Sequence, residues 1–419
     1  AAALAPVRSW LERVFHQSLD EMVLQVRKRQ TTDQMSIGNA FTSLRQLGLL
    51  DWKDCFERLS RVEQVLRQDP AGIYPRMDFA TRDRYRRAVE ELSRGSGMEE
   101  GRVAQSVVDL AREQSAHVGT LLVGEKRGEL AQSVGCRERV RFRVLNWVTR
   151  HHSAVYFFGL VFFSAVFLFW LLRFALFDQG LRVQMILAVL LLIPVSQLSL
   201  EVVNGLVVRF IPPRVLPKMD FRISGIPDTC RTLVVVPMML VDAETVKGEA
   251  EKLEIRFLAN KEDNLFFALY SDYRDAASKH CDGDAVLLDN AVRSISELNR
   301  RHGDGRFFLL HRERKWCESE QKFIGWERKR GKLEELNDLV IGTRPRQAER
   351  LVYVGDPSRL SEVRFIITLD SDTQLPAGAA RRMIETLAHP LNRVHLDDRG
   401  RVQSGYTIIQ PRVSPSLTS

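Results

Sequence analysis

The stretch SAVYFFGLVFFSAVFLFWLLRFALF, lying between His152 and Asp178, limits the fold of this chain more than any other segment. It carries one charge, Arg173, and is long enough to cross a bilayer as a helix. A helix buried in a soluble domain is the alternative, but such helices rarely stay apolar on every face for so long. After the link DQGLR comes VQMILAVLLLIPVSQLSLEVVNGLVV, Val183 to Val208, which contains Pro194, Gln197, Glu201 and Asn204. Polar groups in hydrocarbon need partners, so these residues are expected to face a neighbouring helix or a polar path. The spans are expected at about 154–177 and about 184–208.

Charge sets the orientation. Arg137, Arg139, Arg141, Arg143 and Arg150 precede the first span, and Arg209, Arg214, Lys218 and Arg222 follow the second. The link holds only Arg182 against Asp178, so both large segments are expected on the cytoplasmic side of the membrane. The formal charge of +8 points to an anionic partner. The membrane flanks account for part of it, and no nucleic acid is needed. With 45% hydrophobic and 27% charged residues, neither a disordered chain nor a pure membrane bundle fits. Cys55, Cys136, Cys230, Cys281 and Cys317 show no CxxC or CxxH spacing, which fits a reducing compartment and argues against a zinc site. The chain opens without methionine and stops just after a strand-like segment, so both ends are expected to be cuts in a longer protein.

Four regions follow. Residues 1–150 read as a helical domain, with apolar stripes in SWLERVFHQSLDEMVLQVRKR, FTSLRQLGLLDWKDCFERLSRVEQVLRQ and GRVAQSVVDLAREQ. Asp69-Pro70-Ala71-Gly72 stops one helix, and Asp78 or Thr81 caps the next. Residues 151–210 hold the two spans, and 211–225, with IPPRVLPKMDF, form a proline-rich linker. In 226–419 short apolar runs alternate with amphipathic helices: TLVVVP, LFFALYSD, RFFLLHR and VRFIITLDSD as strands. That alternation predicts an α/β fold with a mostly parallel sheet.

The chemistry is expected where strands end. Asp370 and Asp372 follow Phe365-Ile366-Ile367-Thr368-Leu369, read as a buried strand, and ligands of open α/β sheets bind at that edge. Two carboxylates there suit Mg²⁺ or Mn²⁺, and the cation suits a diphosphate. The bland alternative is Asp372 capping a turn with Asp370 solvated. Asp272 ends another strand and can accept hydrogen bonds from a uracil or ribose; Asp275 serves equally, or both are loop acids. In GWERKRGKLEELN, Arg328, Lys329, Arg330 and Lys332 surround Gly331, whose lack of a side chain allows close backbone approach. These cations can counter a diphosphate leaving group, or form a solvated helix face. Together the pieces suggest a nucleotide-sugar transferase acting by displacement at an anomeric carbon. Such a reaction needs a base for the acceptor proton, and none is convincing here; it is expected beyond Ser419.

Several long segments resemble the cyclic β-1,2-glucan synthases of glycosyltransferase family 84. They are SIGNAFTSLRQLGLLDW, DPAGIYPRMDFATRDRYRRAVEELSR, RTLVVVPMML, GWERKRGKLEELN, ITLDSDTQLP, AHPLNR and GYTIIQPRV. The resemblance implies a GT-A-like transferase domain, here partial, in a multi-pass bacterial inner-membrane enzyme. That enzyme polymerises glucose from UDP-glucose, with inversion, and its remaining domains control and close the glucan. It also implies a growing glucan attached to a tyrosine, which no motif here identifies. On this pattern Asp370 and Asp372 hold the metal and diphosphate, and Asp272 holds the uridine. Arg328, Lys329 and Lys332 face the donor phosphates, and Pro237 marks the first turn of the nucleotide fold. A processive synthase using another UDP-sugar, and a non-catalytic membrane-anchoring or assembly module, are the competing readings.

Overall fold

In the computed structural model, residues 5–49, 52–136, 140–175, 180–211, 213–343 and 351–414 are described. Arg137, Arg139 and Asp178, used above for orientation, lie outside them. The chain divides into two compact units, Ala1–Val65 and Leu66–Ser419. The first is helical: α1 (Ala5–Phe15), α2 (Leu19–Leu49), α3 (Trp52–Leu59) and most of α4 (Arg61–Leu66). No residue of the long α2 is buried.

The second unit opens with a small helical core of α5 (Phe79–Ser96), α6 (Glu100–Glu113), α7 (Val118–Leu122) and α8 (Arg127–Ser133). The α6 stripe expected from the sequence is buried through Val103, Ala104, Val107, Val108 and Ala111. Asp78 caps α5, its Oδ1 accepting from Thr81 N at 2.9 Å. Before it, Asp69 organises the turn. Its Oδ2 accepts from the amides of Ile73 and Tyr74 at 2.9 and 3.0 Å and its Oδ1 from Val118 N at 3.1 Å. Burial resists this charge, but the imidazole of His117 at 2.9 Å and those amides hold the carboxyl down to about 2.

Next come α9 (Val140–Arg150), α10 (His152–Ala175) and α11 (Leu181–Phe210). The last two are long and apolar enough to cross a membrane, over His152–Phe174 and Arg182–Phe210. They pair with each other. Tyr156 Oη donates to Asn204 Oδ1 and Ser164 Oγ to Ser199 Oγ, both at 3.0 Å, and Gly159 leaves space beside Val203. Small and hydroxylated residues at such a seam let helices approach in lipid. Asn204 thus meets the neighbouring helix as expected, whereas Gln197 and Glu201 do not: both are exposed.

The remaining residues form the expected α/β layer. Its sheet is built from β1 (Thr232–Leu240), β2 (Leu265–Tyr273), β3 (Phe307–Arg312), β6 (Val352–Val354) and β7 (Phe365–Thr368) in the order β6-β3-β2-β1-β7. β6 is antiparallel to β3, and the other neighbours pair in parallel. Between the strands run α12 (Ala243–Ala259), α13 (Asp284–His302), α14 (Arg328–Ile341) and the short α15 (Pro357–Leu360), and α16 (Ala379–Ala388) follows β7. Two small hairpins, β4 (Lys315–Cys317) with β5 (Lys322–Ile324) and β8 (His395–Leu396) with β9 (Val402–Ser404), complete it.

Two expectations change. β7 is not a buried strand: it stands at the edge, its residues half-buried and Thr368 exposed, because among the described residues only β1 pairs with it. Pro237 does not mark a turn; β1 runs on to Leu240. A proline fits there because pairing with β7 ends at Val235↔Thr368, leaving that flank of the backbone without a strand partner.

The segment read as a linker is tied down on both sides. Lys218 N donates to Thr81 Oγ1 at 2.9 Å, Asp220 N to Arg76 O at 2.8 Å, and Met219 N to Glu385 O at 2.9 Å. Asn392 Nδ2 donates to Pro217 O at 2.9 Å. Met219 and Phe221 are buried. This segment therefore joins the small helical core to α16 as a backbone-bonded bridge.

Candidate functional site

The registers Met239↔Asp272 and Asp272↔Arg312 bring the ends of β1, β2 and β3 to one level. On this edge the order of the sheet reverses, with β2 and β7 on opposite sides of β1. Such a switch point leaves a crevice outside the strand ends.

At its centre lies a charge cluster that the sequence only half revealed. Asp272 is buried, and Arg312 grips it with Nε on Oδ1 at 2.8 Å and Nη2 on Oδ2 at 3.0 Å. Lys332 Nζ stands 3.1 Å from the same Oδ2 and also donates to Met238 O at 2.5 Å. Burial lowers the pKa of Lys332, and Asp272 partly restores it. For Arg312 burial also works against the charge, but the bonds to Asp272 prevail and raise it. With about four lone-pair positions on a carboxylate, Asp272 retains one on Oδ1 for a further donor.

Arg312 also shapes the turn before α14. Its Nη1 donates to Trp326 O at 3.0 Å and its Nη2 to Arg328 O at 2.9 Å. Glu327 and Arg328 both have left-handed backbones, with φ 50° and 47°. Two such non-glycine residues in succession are strained, and strain of this kind persists where surrounding bonds fix it. Gly331 is needed here for a protein contact: a Cβ would lie 2.1 Å from Trp326 O. Gly331→Ala is expected to displace the turn and cost about 1–3 kcal/mol. Thermal unfolding and the near-ultraviolet dichroism of Trp326 check this, and an unchanged melting temperature would count against it.

The basic residues are divided among different tasks. Lys329 pairs with Asp370. Arg328 pairs with Asp275 at 3.1 Å and Glu320 at 2.8 Å, and Arg330 turns outward to Glu334 at 2.9 Å. Lys332 is buried beneath. No acid occupies the first turn of α14. Cations beside the positive end of a helix repel it unless an anion joins them.

Asp370 and Asp372 are exposed on the turn after β7. Arg256, from α12, fixes that turn from below through Ser371 O at 2.8 Å and Thr373 O at 2.9 Å. The donor set is all oxygen, as a hard cation prefers. Among the described residues no group of three or more His, Cys, Asp or Glu could hold a metal. Two carboxylates fit Mg²⁺ or Mn²⁺ only as ions completed by water and substrate phosphates, the usual way Mg²⁺ is held.

The structure thus brings Asp272, Asp275, Arg328, Lys329, Lys332 and Asp370 to one sheet edge, with Asp372 two residues beyond. Sequence reasoning missed Arg312 and Arg256. Arg312 had a signal, a charge ending the apolar run FFLLHR. Arg256 had none, being one more basic residue on an amphipathic helix.

No protein-family model matches this chain. It is 32% identical over 440 residues to the protein described as Cyclic beta-(1,2)-glucan synthase NdvB from Rhizobium meliloti (strain 1021). That alignment takes in 99% of this chain and 15% of the relative. The resemblance to cyclic β-1,2-glucan synthases read from the quoted segments is borne out across nearly the whole chain.

Proposed function

We propose that this chain is the donor-binding part of a membrane-bound glucosyltransferase that makes β-1,2-glucan from UDP-glucose. The observation that carries the reading is the meeting of Asp370 with Lys329 at the cation-rich start of α14, on the carboxyl edge of a mostly parallel sheet. Similarity to a glucan synthase over 99% of the chain supports the same class.

In this reading Arg328 and Lys329 exchange their carboxylate partners for the donor phosphates. Charge already paired at the protein surface is thereby redirected onto the leaving group. The free position on Asp272 Oδ1 accepts from the uridine, while Arg312 and Lys332 hold that carboxylate in place. Mg²⁺ or Mn²⁺ held by Asp370 and Asp372 would act as a Lewis acid on the departing diphosphate. The transfer inverts the anomeric centre, and its base comes from residues beyond those that line this edge. In this reading the site faces the cytoplasm at the inner membrane, beside the growing glucan and the remaining domains of the synthase; the arginines and lysine flanking the two apolar helices support that orientation.

Calorimetric titration of UDP, with and without Mn²⁺, tests this. Wild type is expected to bind at least tenfold more tightly with Mn²⁺, and Asp372→Ala to lose that gain. Equal metal-independent binding by both would favour an anchoring module, and tighter binding of another UDP-sugar would favour a different synthase.

A further inference from the structure

The outer face of α11 carries a polar stripe that the proposed reaction does not use. Val195, Ser199 and Val203, spaced four apart, form the buried seam against α10. Gln197 and Glu201 each lie two residues from Ser199, about 200° around the helix, and so face away from α10. Both are exposed, and no hydrogen bond or ion pair engages either among the described residues. Leu190 and Val208, at 65% and 80% exposure, lie on the same face, apolar on either side of the polar pair. Beside Glu201, Gly205 has open space where a Cβ would be.

Depth makes this stripe informative. Glu201 lies between Ser199 and Asn204, whose hydrogen bonds to Ser164 and Tyr156 join the two helices. It is therefore inside the hairpin, roughly 13 Å along the axis from the end of α11 at Phe210. A carboxylate at that depth is costly in lipid and is ordinarily paired.

We propose that this face receives a further transmembrane helix, one that presents a lysine, arginine or strong hydrogen-bond donor to Glu201 and packs closely over Gly205. The inference rests on α10 and α11 crossing a bilayer. Charge identifies the occupant. A second copy inserted the same way would set Glu201 against Glu201. The cations of the two spans, Arg173, Arg182 and Arg209, lie towards the helix ends, away from that depth. The helix is thus a different one, with complementary charge. Gly205 supplies the small residue that lets two helix backbones approach.

Spin labels test the face in the full polypeptide, reconstituted in phospholipid vesicles, with its natural cysteines replaced. Labels at Gln197→Cys and Gly205→Cys are compared with one at Phe158→Cys on α10. The first two are expected to be immobile and at least fivefold less accessible to oxygen than the third, with no collisions with a nickel chelate. Oxygen access equal to that at Phe158 would mean lipid covers the stripe, and nickel access at Gln197 alone would mean an aqueous path; either overturns the proposal. Broadening between labels at Gln197 would reveal a second copy and overturn it as well. Nickel access at Phe158 too would refute the spans themselves, a separate failure. Glu201→Lys is expected to lower the yield of inserted protein at least tenfold, well beyond Glu201→Gln; equal yields would rule out a facing cation.

Discussion

Asp272→Ala is expected to destabilise the second unit by about 3–5 kcal/mol, the cost of leaving buried charge without its partner. The mutation strips Arg312 of both its carboxylate bonds and Lys332 of its ion pair, although each cationic side chain is only 4% exposed. Glu335 Oε2, 3.6 Å from Arg312 Nη1, is too distant for a good hydrogen bond and compensates little. Lys332, its pKa already lowered by burial, loses the charge that supports its protonation, and its pKa is expected to fall further. Arg312 has no such escape, since guanidinium stays protonated. Urea unfolding in detergent should therefore show a large fall in midpoint, and Arg312→Met in the same background should recover part of it. Exposed Asp372→Ala is expected to change stability by about 0.5 kcal/mol or less. A small effect at Asp272 would mean that water reaches the cluster and that its role is confined to ligand binding.

Apolar runs and their spacing disclosed most of the fold. The runs LFFALYSD and RFFLLHR became β2 and β3 because buried parallel strands tolerate little else, and the two long apolar stretches became the helices α10 and α11. What stayed hidden depended on partners distant in sequence. Whether FIIT is central or at an edge depends on which strands flank it, and its composition is the same either way. The edge strand VYV is too short to stand out. The proline-rich stretch read only as a linker, yet its carbonyls and amides are met by α5, α16 and Asn392, partners no local pattern discloses. In the candidate site, the strand-end carboxylates were legible because a charge after an apolar run is conspicuous. The division of labour within GWERKRG was not. It depends on Arg312, some fifteen residues upstream, which bends the turn and sends each cation in a different direction.

The second large effect is a loss of stability in mild acid. His311 is buried on β3 beside Ser271, Tyr273 and Tyr353, with Nδ1 2.9 Å from Ser271 Oγ and Nε2 without a partner. Burial lowers its pKa from the ordinary 6.5 to about 4. His389, also buried, falls to about 3, through burial first and then the neighbouring His117. Above pH 6.5 neither form of the chain carries these protons and stability is unaffected. Below it the unfolded chain takes them up while the folded chain does not, so stability falls as pH drops towards the folded values. Each histidine can contribute about 1.4 kcal/mol per pH unit, which makes the combined loss on the order of 5 kcal/mol near pH 4.5. Asp69, held at about 2, loses its contribution as pH falls from the ordinary 3.8 towards that value, below the range from pH 7.5 to 5. Urea midpoints measured from pH 7.5 down to 5 should fall steadily, and by about half as much in His311→Asn, whose amide can still meet Ser271 but cannot titrate. A flat profile in wild type would mean that both rings accept protons in place, with solvent reaching both buried sites.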